Sequence, residues 1–168
     1  MPISFLPDVI FNNLTEITPQ ILKKLRVELL MLDFDNTIVP YTTNVPTQAM
    51  DRWLSDISAS EIPVCVVSNS KKPRVVEFCR TYGLDCITHS RKPFQKGIRA
   101  CLSRYDMGAE QAALVGDQIF TDVLGANAAG VRSVLISAID NHNIWLKLRH
   151  AAELPFIFAA RRRRYHEE

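Results

Sequence analysis

The chain reads as an α/β protein, a parallel β-sheet with helices on both faces. Short apolar runs at about 28–34, 63–68, 85–88, 112–116 and 132–137 alternate with stretches whose apolar residues recur at helical spacing. That βα alternation is the pattern of a parallel sheet. Several runs also end in acids, hydroxyls or amides, among them LLMLDFD, VCVVSNS and ALVGD, and in open α/β sheets ligands gather at the carboxyl ends of strands.

Each element has its own local reason. Thr18-Pro19 suit the N-cap and N1 positions of a short helix through Leu25, which feeds the first core strand at about 28–34. After the loop Pro40–Pro46, the spacing of Met50, Trp53, Leu54 and Ile57 predicts a helix over 47–59, followed by the strand 63–68. A helix from Pro73 to Tyr82 stops at Gly83, a residue suited to the left-handed position after a helix. A short strand near 85–88, a helix at 94–105, the strand 112–116, a helix at 121–129 closed by Gly130 and the strand 132–137 complete the alternation. There is no internal repeat or low-complexity linker. At 168 residues the chain has the size of one domain, with its core over about 26–140 and a C-terminal helical and basic tail over about 143–168.

The first core strand ends in Asp33-Phe34-Asp35. A packed core gains nothing from carboxylates delivered by a buried strand, so their presence points to chemistry. In an extended segment residues 33 and 35 share a face while Phe34 turns back to the core. Like charges held together call for a divalent cation or a raised pKa on one of them, and hard oxygen ligands favour Mg²⁺, which also accepts phosphate oxygens. The plain alternative is a strand end followed by an Asx-type turn at Asp35-Asn36-Thr37.

Three later segments could supply partners. Val64–Val67 leads into Ser68-Asn69-Ser70, a hydroxyl and amide cluster suited to phosphate oxygens. Lys92-Pro93 opens a predicted helix, where an ammonium and the positive end of the helix dipole would both offset anionic charge. Ala113-Leu114-Val115 runs into Gly116-Asp117 and then Thr121-Asp122. Each is also readable as ordinary strand-to-helix loop chemistry; their order and repetition in one short chain favour a shared site.

In that order DFDNT at 33–37, Ser68 of VVSNS, Lys92 of RKP and GDQIFTD at 116–122 resemble the four motifs of the haloacid dehalogenase superfamily of phosphohydrolases. The similarity is greatest to its subfamily IIIA and, through FLPD, ITPQIL and GDQIFTDV, to the YqeG-like branch, a relative of the mitochondrial phosphatidylglycerophosphatases. The resemblance implies a Rossmann-like three-layer sandwich and a Mg²⁺-dependent phosphatase. It makes Asp33 the nucleophile that forms an aspartyl-phosphate, and Asp35 the group that protonates the leaving oxygen and then activates water. Thr37 would orient that acid, Ser68 with Asn69 would bind phosphoryl oxygens, and Lys92 would offset charge on nucleophile and phosphoryl group. Asp117 would complete the Mg²⁺ site with Asp33 and the backbone carbonyl of Asp35, with Asp122 as a supporting carboxylate. The assignment is physically coherent, because a carboxylate attacks an anionic phosphate only when a cation offsets their repulsion, and a two-step displacement lets one acid/base group serve both halves.

Only 34 residues lie between Asp33 and Ser68 and only 23 between Ser68 and Lys92, about one crossover helix each, which leaves no room for an inserted cap domain. In the family resembled, capless members tend to act on large or surface-bound substrates, so a phospholipid head-group phosphate such as phosphatidylglycerophosphate is the first expectation. The alternatives are a soluble sugar, nucleotide or protein phosphate, or a non-catalytic scaffold that partners a ribosome-associated GTPase or RNA. Intact Asp33 and Asp35 argue against the scaffold.

A formal charge of +2 says little about partners. Cys65, Cys79, Cys86 and Cys101 show no CxxC pairing and read as reduced core thiols of a cytoplasmic protein; no segment has the roughly 18 apolar residues of a membrane span. In the tail, Trp145, Leu146 and Leu148 precede a break at Pro155, and Phe156, Ile157 and Phe158 lead into Arg161–Arg164. Such a mixture suits peripheral contact with anionic lipid, or else a terminal helix packed on the domain with a solvated tail. No base-reading nucleic-acid module is present. His89 and Arg91 stand near Lys92, and Lys71 and Lys72 near the mouth of the expected cleft, where they would attract an anionic substrate. The oligomeric state is not legible.

Overall fold

The computed structural model of the chain describes residues 4–140 and 152–159. A six-stranded sheet has the order β1-β6-β5-β2-β3-β4, and every neighbouring pair is parallel. The strands are β1 (Val9–Ile10), β2 (Leu29–Leu32), β3 (Val64–Val67), β4 (Asp85–Ile87), β5 (Ala112–Gly116) and β6 (Arg132–Leu135). The helices are α1 (Pro19–Lys24), α2 (Gln48–Ser58), α3 (Pro73–Tyr82), α4 (Lys96–Tyr105) and α5 (Leu124–Ala129), with a further helix, α6, over residues 152–159.

The central strand β2 is inaccessible at all four residues, as expected of a strand covered on both faces. Alternation divides its side chains between two cores. Leu30 and Leu32 pack with residues of α1, α2 and α3, including Leu22, Trp53, Ile57 and Phe78. Leu29 and Met31 pack with Ile98 and Cys101 of α4 and Ala126 and Ala129 of α5. Helices therefore cover both faces of the sheet, giving three layers. Trp53 also ties α2 to the N-terminal segment, its Nε1–H donating to the Ile17 carbonyl at 2.8 Å.

Register places the chemistry. Leu32 pairs with Val66 on one side and Val115 on the other, and the Asp33 N–H donates to the Val115 carbonyl at 2.8 Å. The ends of β2, β3 and β5 thus stand side by side. The chain builds outward from β2 through β3 to β4, then returns to lay β5 on the opposite side of β2. This reversal opens a crevice at the carboxyl ends.

The helix starts follow their caps: the Thr18 hydroxyl accepts the Ile21 N–H and the Thr47 hydroxyl accepts the Met50 N–H. Gly83, at φ 64°, ends α3. Four departures from the sequence reading have tertiary causes. β1 is too short to show a period; Asp8, whose carboxylate accepts from the Ser133 N–H at 2.8 Å, anchors it beside β6. The expected helix at 121–129 is split, with a π-helical turn at Ile119–Val123 and α5 starting at Leu124. Lys92 does not stand at a helix start, since α4 begins at Lys96 and residues 92–95 form a loop. Helix α6 continues through Pro155 rather than breaking there; Trp145, Leu146, Leu148 and Arg161–Arg164 of the expected tail lie outside the described residues. No helix among the described residues is long and apolar enough to cross a membrane.

Replacing Trp53 by Phe keeps most of the ring but strands the Ile17 carbonyl in the core. Urea denaturation of Trp53→Phe is expected to show a loss of about 1–3 kcal/mol.

Candidate active site

The buried centre of the crevice is an ammonium between two carboxylates. Lys92 is 4% exposed, and its Nζ lies 2.7 Å from Oδ1 of Asp33 and 2.8 Å from Oδ1 of Asp122. Burial lowers the affinity of Lys92 for its proton, but Asp122 and Asp33 outweigh that effect, and its pKa lies above the ordinary lysine value. Burial pushes the Asp122 carboxyl up to about 6, with the Lys92 ammonium opposing and Asp33 adding to the rise.

Each member is held by local structure. Asp33 leaves the sheet directly after Leu32. Asp122 sits in the π-helical turn, and its Oδ2 accepts the Gln118 N–H at 3.1 Å. The turn folds back over Gly116, where a Cβ would overlap the Asp122 carboxylate; only glycine lets the strand end and that acid share the space. The Lys92 loop is bracketed by Asn69, whose Oδ1 accepts from the Lys92 N–H at 2.6 Å and the Ser90 hydroxyl at 2.8 Å, and whose Nδ2 donates to the Lys92 carbonyl at 2.9 Å. Asn69, expected at the phosphoryl oxygens, thus uses its Oδ1 and one Nδ2 hydrogen to position the Lys92 loop. Ser68 is buried beside it, its hydroxyl accepting the Ser70 N–H at 3.1 Å.

Among the described residues Asp33, Asp117 and Asp122 form a buried group in which one oxygen from each lies within 4.8 Å of the others. Three carboxylates against one ammonium leave the cluster with excess negative charge, and all its donors are hard oxygens. That set fits a divalent cation of the Mg²⁺ class. Thr37 is buried, and its hydroxyl points to Asp117 Oδ1 at 3.5 Å rather than to Asp35.

The two acids of the DFD segment diverge. Phe34 turns into the core as expected and packs edge-on against Phe78 at 5.2 Å. Asp35 lies outside the three-acid group and is half-buried; the Nη2 of Arg74 stands 3.5 Å from its Oδ1. Burial raises the Asp35 pKa, Arg74 works against that rise and Asp33 with it.

Two residues that touch this machinery escape the sequence reading. Arg74 carried a usable signal: a cation in the first turn of a helix opposes the helix dipole and calls for a compensating partner. Glu153 had none. It is buried, and its Oε1 accepts the N–H groups of Ile119 and Phe120 at 3.0 and 3.4 Å, so α6 caps the turn that carries Asp122. Phe156 packs beside it against Phe5 and Phe120. His89, Arg91, Lys71 and Lys72 are exposed, and His142, His150 and His166 lie outside the described residues.

A family model described as HAD-hydrolase-like matches residues 89–141. The chain is 33% identical over 132 residues to the probable phosphatase YqeG of Bacillus subtilis, an overlap of 79% of this chain and 77% of that protein. Among solved structures, the cobalt-bound deoxy-D-mannose-octulosonate 8-phosphate phosphatase (YrbI) of Haemophilus influenzae aligns at TM-score 0.54 and 14% identity, covering 75% of this chain and 77% of that one. The 3-deoxy-D-manno-octulosonate 8-phosphate phosphatase of Yersinia pestis aligns at TM-score 0.54 and 16% identity, covering 79% and 75%. At such identities these two establish the fold, while the YqeG match, at 33% identity over 79% of this chain, establishes the family. The chain therefore belongs to the haloacid dehalogenase superfamily, as a phosphatase of its YqeG-like branch.

Proposed function

We propose that this phosphatase hydrolyses phosphomonoesters in two displacements through an aspartyl-phosphate on Asp33, with Mg²⁺ as its metal. The observation that carries the reading is the convergence of Asp33, Lys92, Asp117 and Asp122 at the open end of the sheet. In the first step a carboxylate oxygen of Asp33 bonds to phosphorus as the ester oxygen leaves, and Asp35 gives that oxygen its proton. In the second, water attacks phosphorus, Asp35 takes the water's proton, and the bond to Asp33 breaks. Ser68 donates to a phosphoryl oxygen. Lys92 lowers the negative charge on Asp33 and on the incoming phosphoryl group, as attack by a carboxylate requires. Asp33, Asp117 and the backbone carbonyl of Asp35, with Asp122 in support, would hold Mg²⁺, and its charge would supply electrostatic stabilisation of the phosphoryl oxygens.

We extend the proposal to substrate and setting. The short crossovers from β2 to β3 and from β3 to β4 add no covering domain, which favours a large or surface-bound phosphomonoester such as phosphatidylglycerophosphate over a small enclosed one. Four free cysteines, three of them buried, support a reducing compartment such as the cytoplasm. Peripheral contact with anionic lipid through the basic tail is retained: Phe158 of α6 is 64% exposed, although Glu153 is buried against the domain. The second reading, a soluble phosphate ester as substrate, is favoured by the sugar-phosphate phosphatases that share the fold.

Phosphate release measured on phosphatidylglycerophosphate in mixed micelles and on soluble phosphomonoesters is expected to require Mg²⁺, to vanish with EDTA and return on metal addition, and to be abolished in Asp33→Asn. Asp35→Asn is expected to lose about 10²–10⁴-fold in kcat. Preference for soluble esters, indifferent to micelles, would move the substrate assignment to the second reading. Lys92→Met removes the ammonium and leaves two buried carboxylates facing each other, so denaturation in metal-free buffer should show a loss of about 3–5 kcal/mol.

A further inference from the structure

Arg74 occupies the first turn of α3, directly after Pro73, yet its guanidinium is turned away from solvent. It lies over the Phe34 ring, with Cζ 5.1 Å from the centroid. Nη1 donates to the Tyr41 carbonyl at 2.6 Å, and Nη2 to the carbonyls of Pro40 and Thr43 at 3.0 and 2.9 Å. The same Nη2 stands 3.5 Å from Oδ1 of Asp35. Three carbonyls of one irregular loop thus converge on a single planar cation, which also faces the acid at that loop's start. Burying a guanidinium is costly unless its donors are matched, and this loop matches both Nη groups while Nε has no hydrogen-bond partner.

We infer that Arg74 is a positioning residue that ties Asp35 and the 40–43 loop into one unit, aiming the proton donor and making that loop the wall beside which the leaving group lies. The inference rests on the reading of Asp35 as the acid of the first step. If Asp35 protonates the leaving oxygen, the leaving group departs on the Asp35 side of the crevice, where the next fixed structure along the chain is the loop that Arg74 holds. Tyr41 of that loop, at 39% exposure, and Val45 two residues beyond it, at 73%, are then the exposed apolar side chains nearest an incoming ester on that side. Lysine cannot reproduce the arrangement, since a single ammonium lacks the planar fork that spans several acceptors.

The test compares the wild type, Arg74→Ala, Arg74→Lys and, as reference, Asp35→Asn on p-nitrophenyl phosphate, whose leaving group needs little protonation, and on a simple alkyl phosphate, whose leaving group needs it fully. With the donor misaimed, kcat/KM of Arg74→Ala on the alkyl ester should fall about a hundredfold while kcat/KM on the aryl ester is nearly unchanged. The losses compared are those in kcat/KM, which reports the first displacement, because the second displacement also uses Asp35 and is common to both esters. Arg74→Lys should recover only part of the difference. Amide exchange across residues 40–45 supplies a readout independent of turnover, and protection there should drop in Arg74→Ala while that of β2 and β5 persists. Equal losses on both esters, no loss on either, or unchanged exchange in the loop would overturn the inference. Failure of the underlying reading looks different: Asp35→Asn would then show no dependence on the leaving group.

Discussion

One buried ammonium organises this molecule's chemistry. Lys92 sits between Asp33 and Asp122, and an ion so placed is tolerated only where its partners are held at bonding distance. Much of the surrounding architecture serves that requirement. Asn69 brackets the loop from both the amide and the carbonyl of residue 92, Gly116 leaves space for the Asp122 carboxylate, and the π-helical turn aims that carboxylate inward. Glu153 satisfies the first two amides of the turn from a distant part of the chain. Loss of any of these would loosen the same ion pair.

The sheet's contribution is register. With β3 and β5 flanking β2, groups from distant parts of the sequence arrive at one edge, Asp33, Ser68, Lys92 and Asp117 from strand ends and loops and Asp122 from the π-helical turn. Asp33 and Ser68 are continuations of adjacent strands, and Asp117 follows the last residue of β5. A site assembled from strand ends is rigid at its base and open above it. In the proposed mechanism the base holds the nucleophile, the lysine and the metal ligands, which must not move. The mouth carries Asp35, Arg74 and the 40–43 loop, which meet the variable part of the substrate.

What was legible in the sequence follows the same division. The strand cores, the bounds of α3 and the residues at strand ends could be read because buried apolar runs and the polar groups that terminate them are local signals. The π-helical turn reads as ordinary helix in the sequence, since five residues carry no period that separates π from α geometry. Asn69 is legible as a site residue, whereas its hold on the Lys92 loop is not, because its partners at 90–92 lie across the sheet edge. Thr37 likewise meets Asp117 instead of the neighbouring acid. Glu153 looked like one charge in a mixed tail, and nothing local distinguishes an acid that will be buried from one that will not. Arg74 is the intermediate case, since its place at a helix start was anomalous but its acceptors lie in another loop.

The most direct test of the central claim is to locate the phosphoryl group in mid-reaction. Turnover of a ³²P-labelled phosphomonoester quenched in acid, followed by peptide mapping, should find label on the peptide containing Asp33, labile to hydroxylamine as an acyl phosphate is, and absent from Asp33→Asn. Steady turnover with no labelled protein at any quench time, or label on a different residue, would contradict the account and require water or another side chain as the nucleophile.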